Sequence, residues 1–204
     1  MSQLLDYIAE HESESTARKL GISAYDVVWG GIKKADRPAK LSAMTIGQVL
    51  AWQDSIDAKY QSEAAGRYQI MEDTLRGLYA EAGMTTADLF DKAGQDRLAT
   101  ALLNRRGLSR YLAGTITAEA FANNLAKEWA SLPVVSGPNR GRSYYAGDGL
   151  NAALVAVEPF MAAVAAIKAA PKPVAASPAP VSAVKPGFWA AIIAIIASIF
   201  GGKK

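Results

Sequence analysis

Leu4-Leu5-Asp6-Tyr7-Ile8-Ala9-Glu10-His11-Glu12 is the stretch on which the reading of the whole chain turns. At helical period Leu4, Leu5, Ile8 and Glu12 fall along one side, and Gln3, Asp6 and Glu10 along the other. The apolar stripe of this helix therefore runs into a carboxylate. Glu10 and Glu14 flank Glu12 by two residues each, so an α-helix reaching Glu14 turns both about 200° away from it. Of the three acids, Glu12 is the one expected to face the core. Desolvation raises the pKa of a carboxyl held among apolar groups. A raised pKa is what a general acid working near neutral pH needs. The competing reading is a helix that simply ends there, with Glu12 in solvent.

Totals narrow the chemistry. The chain has 204 residues, half of them apolar, which suits one main domain with an appendage. It has no cysteine, which excludes disulfides, thiolate metal sites and a cysteine nucleophile. Its single histidine, His11, excludes a multi-histidine metal cluster, and no metal or cofactor is expected. A formal charge of +3 and a pI near 9.0 favour anionic partners such as a cell wall or a membrane surface. No zinc-finger spacing, basic helix or arginine-rich run is present, so nucleic acid is not an expected partner. The acidic N-terminus is not expected to be a secretory signal.

Working outward, Tyr25-Asp26-Val27-Val28-Trp29-Gly30-Gly31 reads as a short strand ending in a glycine turn. Thr45-Ile46-Gly47-Gln48 has the spacing of a capping box and opens a helix with Val49, Trp52 and Ile56 on one face. A polar segment follows, then helices over residues 70–82 and 93–106, stopped by Gly83 and Gly107. Thr117 caps a helix on which Phe121, Leu125 and Trp129 form a buried stripe. Residues 134–149 read as loop, and 150–170 as helix broken at Pro159. The organisation expected is a domain over 1–170, a Pro/Ala-rich linker over 171–187 and a hydrophobic tail over 188–204.

Three segments in order resemble the lambda-type phage endolysins, lysozyme-like enzymes that cleave peptidoglycan. They are Tyr25 to Gly31 as quoted above, Ser62-Glu63-Ala64-Ala65-Gly66-Arg67-Tyr68-Gln69-Ile70, and Trp129-Ala130-Ser131-Leu132-Pro133. An acid on the first helix lies upstream of them. The resemblance covers roughly residues 4–149, and Gly66-Arg67-Tyr68-Gln69 is its most specific part. It implies a mainly α, lysozyme-like (α+β) fold around a glycan cleft, with at most a small β-hairpin. It also implies that Glu12 is catalytic. Tyr25, Ser62, Gly66, Tyr68 and Gln69 match cleft positions. In this reading Gly66 lets backbone approach the sugar, Tyr68 borders the glycan, and Gln69 bonds an N-acetyl group or orients the acid. Tyr144 and Tyr145 are candidates for a further subsite, or for a solvated loop. Trp129 is read as packing.

The implied reaction is cleavage of the bond between N-acetylmuramic acid and N-acetylglucosamine. It proceeds by lytic transglycosylation to a 1,6-anhydro product, or by hydrolysis as in a muramidase. The first is favoured because one essential glutamate suffices for it. Asp26 and Glu63 stay open as second carboxylates, although Asp26 suits a loop-fixing role and Glu63 a solvated one. A wall-binding module without activity and a membrane-active protein are the non-enzymatic readings. The expected location is the host cell envelope, in the periplasm, at the inner membrane or within the virion.

The resemblance does not extend to the tail. Residues 188–200 are apolar but for Ser198. As a helix they would span roughly 20 Å, against about 30 Å of hydrocarbon. A helical wheel puts Phe188, Ile192, Ile195, Ile196 and Ile199 on a bulky surface and Ala190, Ala194, Ala197 and Ser198 on a small one. Small surfaces allow close helix contact in lipid. The tail is therefore expected to form a C-terminal hydrophobic helix that tethers the protein to a membrane and offers a face for self-association.

Overall fold

The first helix forms where its stripe predicts. In the computed structural model, which describes residues 2–149 and 151–169, α1 runs Ser2–Ala9 and buries Leu4, Leu5, Ile8 and Ala9. The chain then widens into a π-turn, Glu10–Glu14, and continues as α2, Ser15–Leu20. α3 (Ile46–Asp57) opens with the full capping box, Thr45 and Gln48 each satisfying the other's backbone N–H. Its buried face holds Ile46, Val49, Leu50 and Ile56, and the Trp52 indole N–H donates to the Asp36 carbonyl.

α4 spans Glu72–Leu78, shorter at both ends than the 70–82 expected. Ile70 is held in a backbone pairing with Ala65 instead, through mutual bonds of 3.1 and 2.9 Å. α5 (Lys92–Arg105) is capped by the Asp91 carboxylate on the Gly94 N–H and lays Leu98, Ala99, Leu102 and Leu103 in the core. α6 (Leu108–Leu112) follows at once, and α7 (Ala118–Ala126) is capped by Thr117. Trp129 lies beyond the end of α7, yet it is buried. α8 (Val157–Ala169) starts later than residue 150. Pro159 falls in its first turn, where no backbone N–H is needed, so it does not break the helix.

The architecture is mainly helical, and among the described residues no sheet forms. The strand expected at Tyr25 is absent: Ala24–Asp26 is a 3₁₀ turn capped by Ser23, and only Val28 makes an isolated bridge, to Ala65. The apolar residues that suggested a strand are buried by tertiary packing. Val27 packs with Ala17 and Ala24, and Val28 joins the main core. α8 packs on α1 and α7, so Phe160 and Val164 join the same core as Leu4 and Phe121.

These residues belong to one compact unit, Met1–Ala170. No helix among the described residues is long and apolar enough to cross a membrane. The linker expected over 171–187 and the hydrophobic tail over 188–204 lie outside the described residues.

Candidate active site

The π-turn changes which residue continues the buried stripe. In an α-helix Glu12 would follow Ile8 into the core. With the wider turn it is Ser13 that is buried, 1% exposed, its hydroxyl donating to the Arg67 carbonyl at 2.7 Å. Glu12 is rotated to the wall of a cleft of about 560 Å³. The expectation that Glu12 faces the core is thus corrected to one of facing a half-open cleft. Single π-turns inside α-helices recur at functional sites, since they re-aim one side chain without ending the helix.

Within the cleft Glu12 keeps an opening to solvent at residue level, but its carboxyl is closely surrounded by protein. Burial raises its pKa, and hydrogen bonding from the Ser131 side chain and backbone opposes that rise without cancelling it. The Ser131 hydroxyl donates to Glu12 Oε1 at 2.5 Å. Ser131 is itself fixed by the Leu154 N–H, which donates to its carbonyl at 2.8 Å. The other two acids of the turn point elsewhere. Glu10 is paired with Arg18 on the surface, and Glu14 with Arg67.

The cleft walls divide by character. Trp29, Met71, Trp129, Tyr145 and Leu154 give apolar faces, while His11, Gln61, Ser62, Gln69 and Asn151 give polar groups. Apolar faces with a few convergent polar groups make a pocket of the kind that binds small ligands. A second carboxylate, Glu128, also lines it and pairs with Arg106 at 2.7 Å. Glu63 does not line it. It is buried rather than solvated, and its Oε1 accepts the Glu72 N–H at the start of α4. Asp26 holds the Ser42 N–H at 2.7 Å, a loop-fixing contact.

Of the residues singled out in the sequence, Glu12, Ser62, Gln69 and Tyr145 meet in this cleft. Gln69 has the left-handed φ of 48°, uncommon outside glycine. Its amide N–H donates to the Gly66 carbonyl at 2.7 Å. Tyr25, Gly66, Tyr68 and Tyr144 are not on the cleft wall. Tyr68 is 1% exposed and its carbonyl accepts the Trp129 indole N–H at 3.1 Å. The hydroxyls of Tyr25 and Tyr68 both donate to Asp96 Oδ1, at 2.9 and 2.6 Å. Burial, then the Asp96 carboxylate, pushes the Tyr25 pKa up to about 12, and the same causes raise that of Tyr68.

A Cβ on Gly66 would meet Gln95 Oε1, so its lack of a side chain has a packing reason. Tyr144 is exposed and stands edge-on to Tyr145. Sequence reasoning gave no role to Ser131, Glu128, Trp29 or Gln61. Ser131 stands in the third motif, but nothing local ties it to an acid 119 positions away.

A family model described as Endolysin matches residues 2–156 of the 204. No curated protein and no solved structure matches the chain.

Proposed function

From the chain's membership of the endolysin family, a phage-encoded group that degrades the host cell wall, we propose that it cleaves the N-acetylmuramic acid–N-acetylglucosamine bond by lytic transglycosylation, with Glu12 as acid and then base. The observation that carries this is the enclosed Glu12 carboxyl, which burial favours in its protonated form. The acid gives its proton to the glycosidic oxygen as the C1–O bond breaks through an oxocarbenium-like state. The muramyl C6 hydroxyl then bonds to C1 and its proton returns to Glu12. One carboxyl serves both steps, and the 1,6-anhydro product needs no water. Ser131 holds Oε1, which leaves Oε2 to carry the proton. Ser62, Gln69 and Tyr145 are the substrate contacts of this reading.

Hydrolysis is the second reading, and Glu128 favours it. A second carboxylate lining the same cleft suits a general base for water. Its pairing with Arg106 makes it the less available of the two. Mass spectrometry of digested sacculi separates them. Anhydro-muropeptides are expected, and reducing ends in their place would move the role of second carboxylate to Glu128.

The tail adds a location to the activity. Residues 188–200 are apolar but for Ser198 and flanked by Lys185, Lys203 and Lys204, which favours a membrane surface, and the small residues Ala190, Ala194, Ala197 and Ser198 favour self-association there. The full chain is expected to float with liposomes, and a chain ending at Ala170 is not. Sedimentation of both with the soluble fraction would remove the tether.

A further inference from the structure

We propose that Arg67 is a positioning residue: its guanidinium and its carbonyl together hold residues 10–14 in the π register that aims Glu12 into the cleft. This rests on the reading of Glu12 as the acid. A π-turn is rare and persists where contacts outside the helix favour it. Here two such contacts go to one residue. The Ser13 hydroxyl donates to the Arg67 carbonyl at 2.7 Å, and Arg67 Nε donates to Glu14 Oε1 at 3.1 Å. Arg67 Nη2 also donates to Asp6 Oδ1 at 2.9 Å, on the helix before the turn. The guanidinium thus straddles the inserted residue, with one acid before it and one after.

The clamp is itself anchored. The Arg67 N–H donates to Gln95 Oε1 at 2.8 Å, and Nη1 donates to the Tyr68 hydroxyl at 3.0 Å. Tyr68 and Tyr25 pass that anchorage to Asp96 on α5. Burial disfavours the Arg67 charge, but its bonds to Asp6, Glu14 and Tyr68 outweigh that and raise its pKa. Loss of the inserted residue's register would rotate everything beyond it by about 100°. Ser13 and Glu14 would then leave Arg67, and Glu12 would leave Ser131.

The next residue but one, Gln69, lines the cleft. Arg67 therefore ties the turn bearing the acid to the turn bearing a cleft wall.

Arg67→Lys tests this, because an ammonium cannot reproduce the guanidinium fork. Expected is a fall in kcat of about tenfold with KM within about twofold, as for a misplaced reacting group. The alkaline limb of the kcat profile, which reports protonated Glu12, should move to lower pH as the carboxyl becomes less enclosed. The other titratable groups lining the cleft are His11, Glu128 and Tyr145, and the substitution alters none of them. Ser131→Ala should move the same limb upward, since it removes a bond that favours the carboxylate.

Glu14→Gln breaks one arm and should act in the direction of Arg67→Lys, more weakly and without adding to it. Glu10→Gln, which breaks only the surface pair with Arg18, should leave rate and limb in place. Activity lowered equally at every pH, in proportion to folded protein, would overturn the inference. If Arg67→Lys does not fold, an unmoved limb in Glu14→Gln overturns it as well. Retained activity in Glu12→Gln would instead overturn the assignment of the acid.

Discussion

Glu12→Gln is expected to remove peptidoglycan cleavage by a factor of about 10²–10⁴ or more while the protein stays folded. The amide is isosteric and still accepts the Ser131 hydroxyl, so the cleft keeps its shape. What disappears is the transferable proton. The same substitution should raise the melting temperature at pH 7. Burial lifts the folded-state pKa of Glu12 above its unfolded value. Below the unfolded value both states are protonated and the enclosed carboxyl carries no charge penalty. As pH rises through the folded pKa, the native state must hold a charge in poor solvent, and stability is lost. Glutamine never ionises. Its stabilisation relative to wild type should therefore grow from acid toward neutral pH and vanish below the ordinary carboxylate range. Wild-type turnover in this variant would exclude Glu12 as the acid. A lower melting temperature at pH 7 would show that the carboxylate contributes to stability instead.

Gly66→Ala is expected to act through the fold. Its φ of +77° lies in the left-handed region, where a Cβ costs about 1–2 kcal/mol. The added Cβ would stand 2.2 Å from Gln95 Oε1 and 3.0 Å from the Phe90 ring. Gln95 has no freedom to yield. It is 0% exposed, accepts the Arg67 N–H, and donates to the carbonyls of Tyr25 and Phe90 at 2.9 and 2.8 Å. Displacing a buried amide from such partners costs about 1–3 kcal/mol more. A loss of roughly 2–5 kcal/mol in a domain of this size lowers Tm by on the order of 10 °C. Calorimetry beside turnover per folded molecule checks it. Unchanged melting with lost turnover would restore the expectation that Gly66 is needed for close approach of the sugar.

Much of the fold was legible because helices are local. The stripe of α1, the capping box of α3, and the caps at Asp91 and Thr117 each act within a few residues, and period and cap chemistry suffice to find them. Glu12 was legible as a candidate only: the stripe pointed it at the core, and the π-turn gives that place to Ser13. The strand expected near Tyr25 was not there because an apolar run can be buried by tertiary packing as well as by strand pairing. Val27 and Val28 are buried without a sheet. The tyrosines of the motifs were read as cleft residues, yet Tyr25 and Tyr68 are committed to Asp96, a partner tens of positions away.

The sequence by itself determined where most of the helices lie, their caps, and Glu12 as the candidate acid. Tertiary structure decided where that acid points. The inserted residue of the π-turn is held by Ser13 and Glu14 on Arg67, more than fifty positions along the chain, and the acid is met by Ser131 from further still. Helical period has no knowledge of such contacts. They belong to the folded state, in which α1 packs on α5 and α8, and there they outweigh the local preference for an unbroken α-helix.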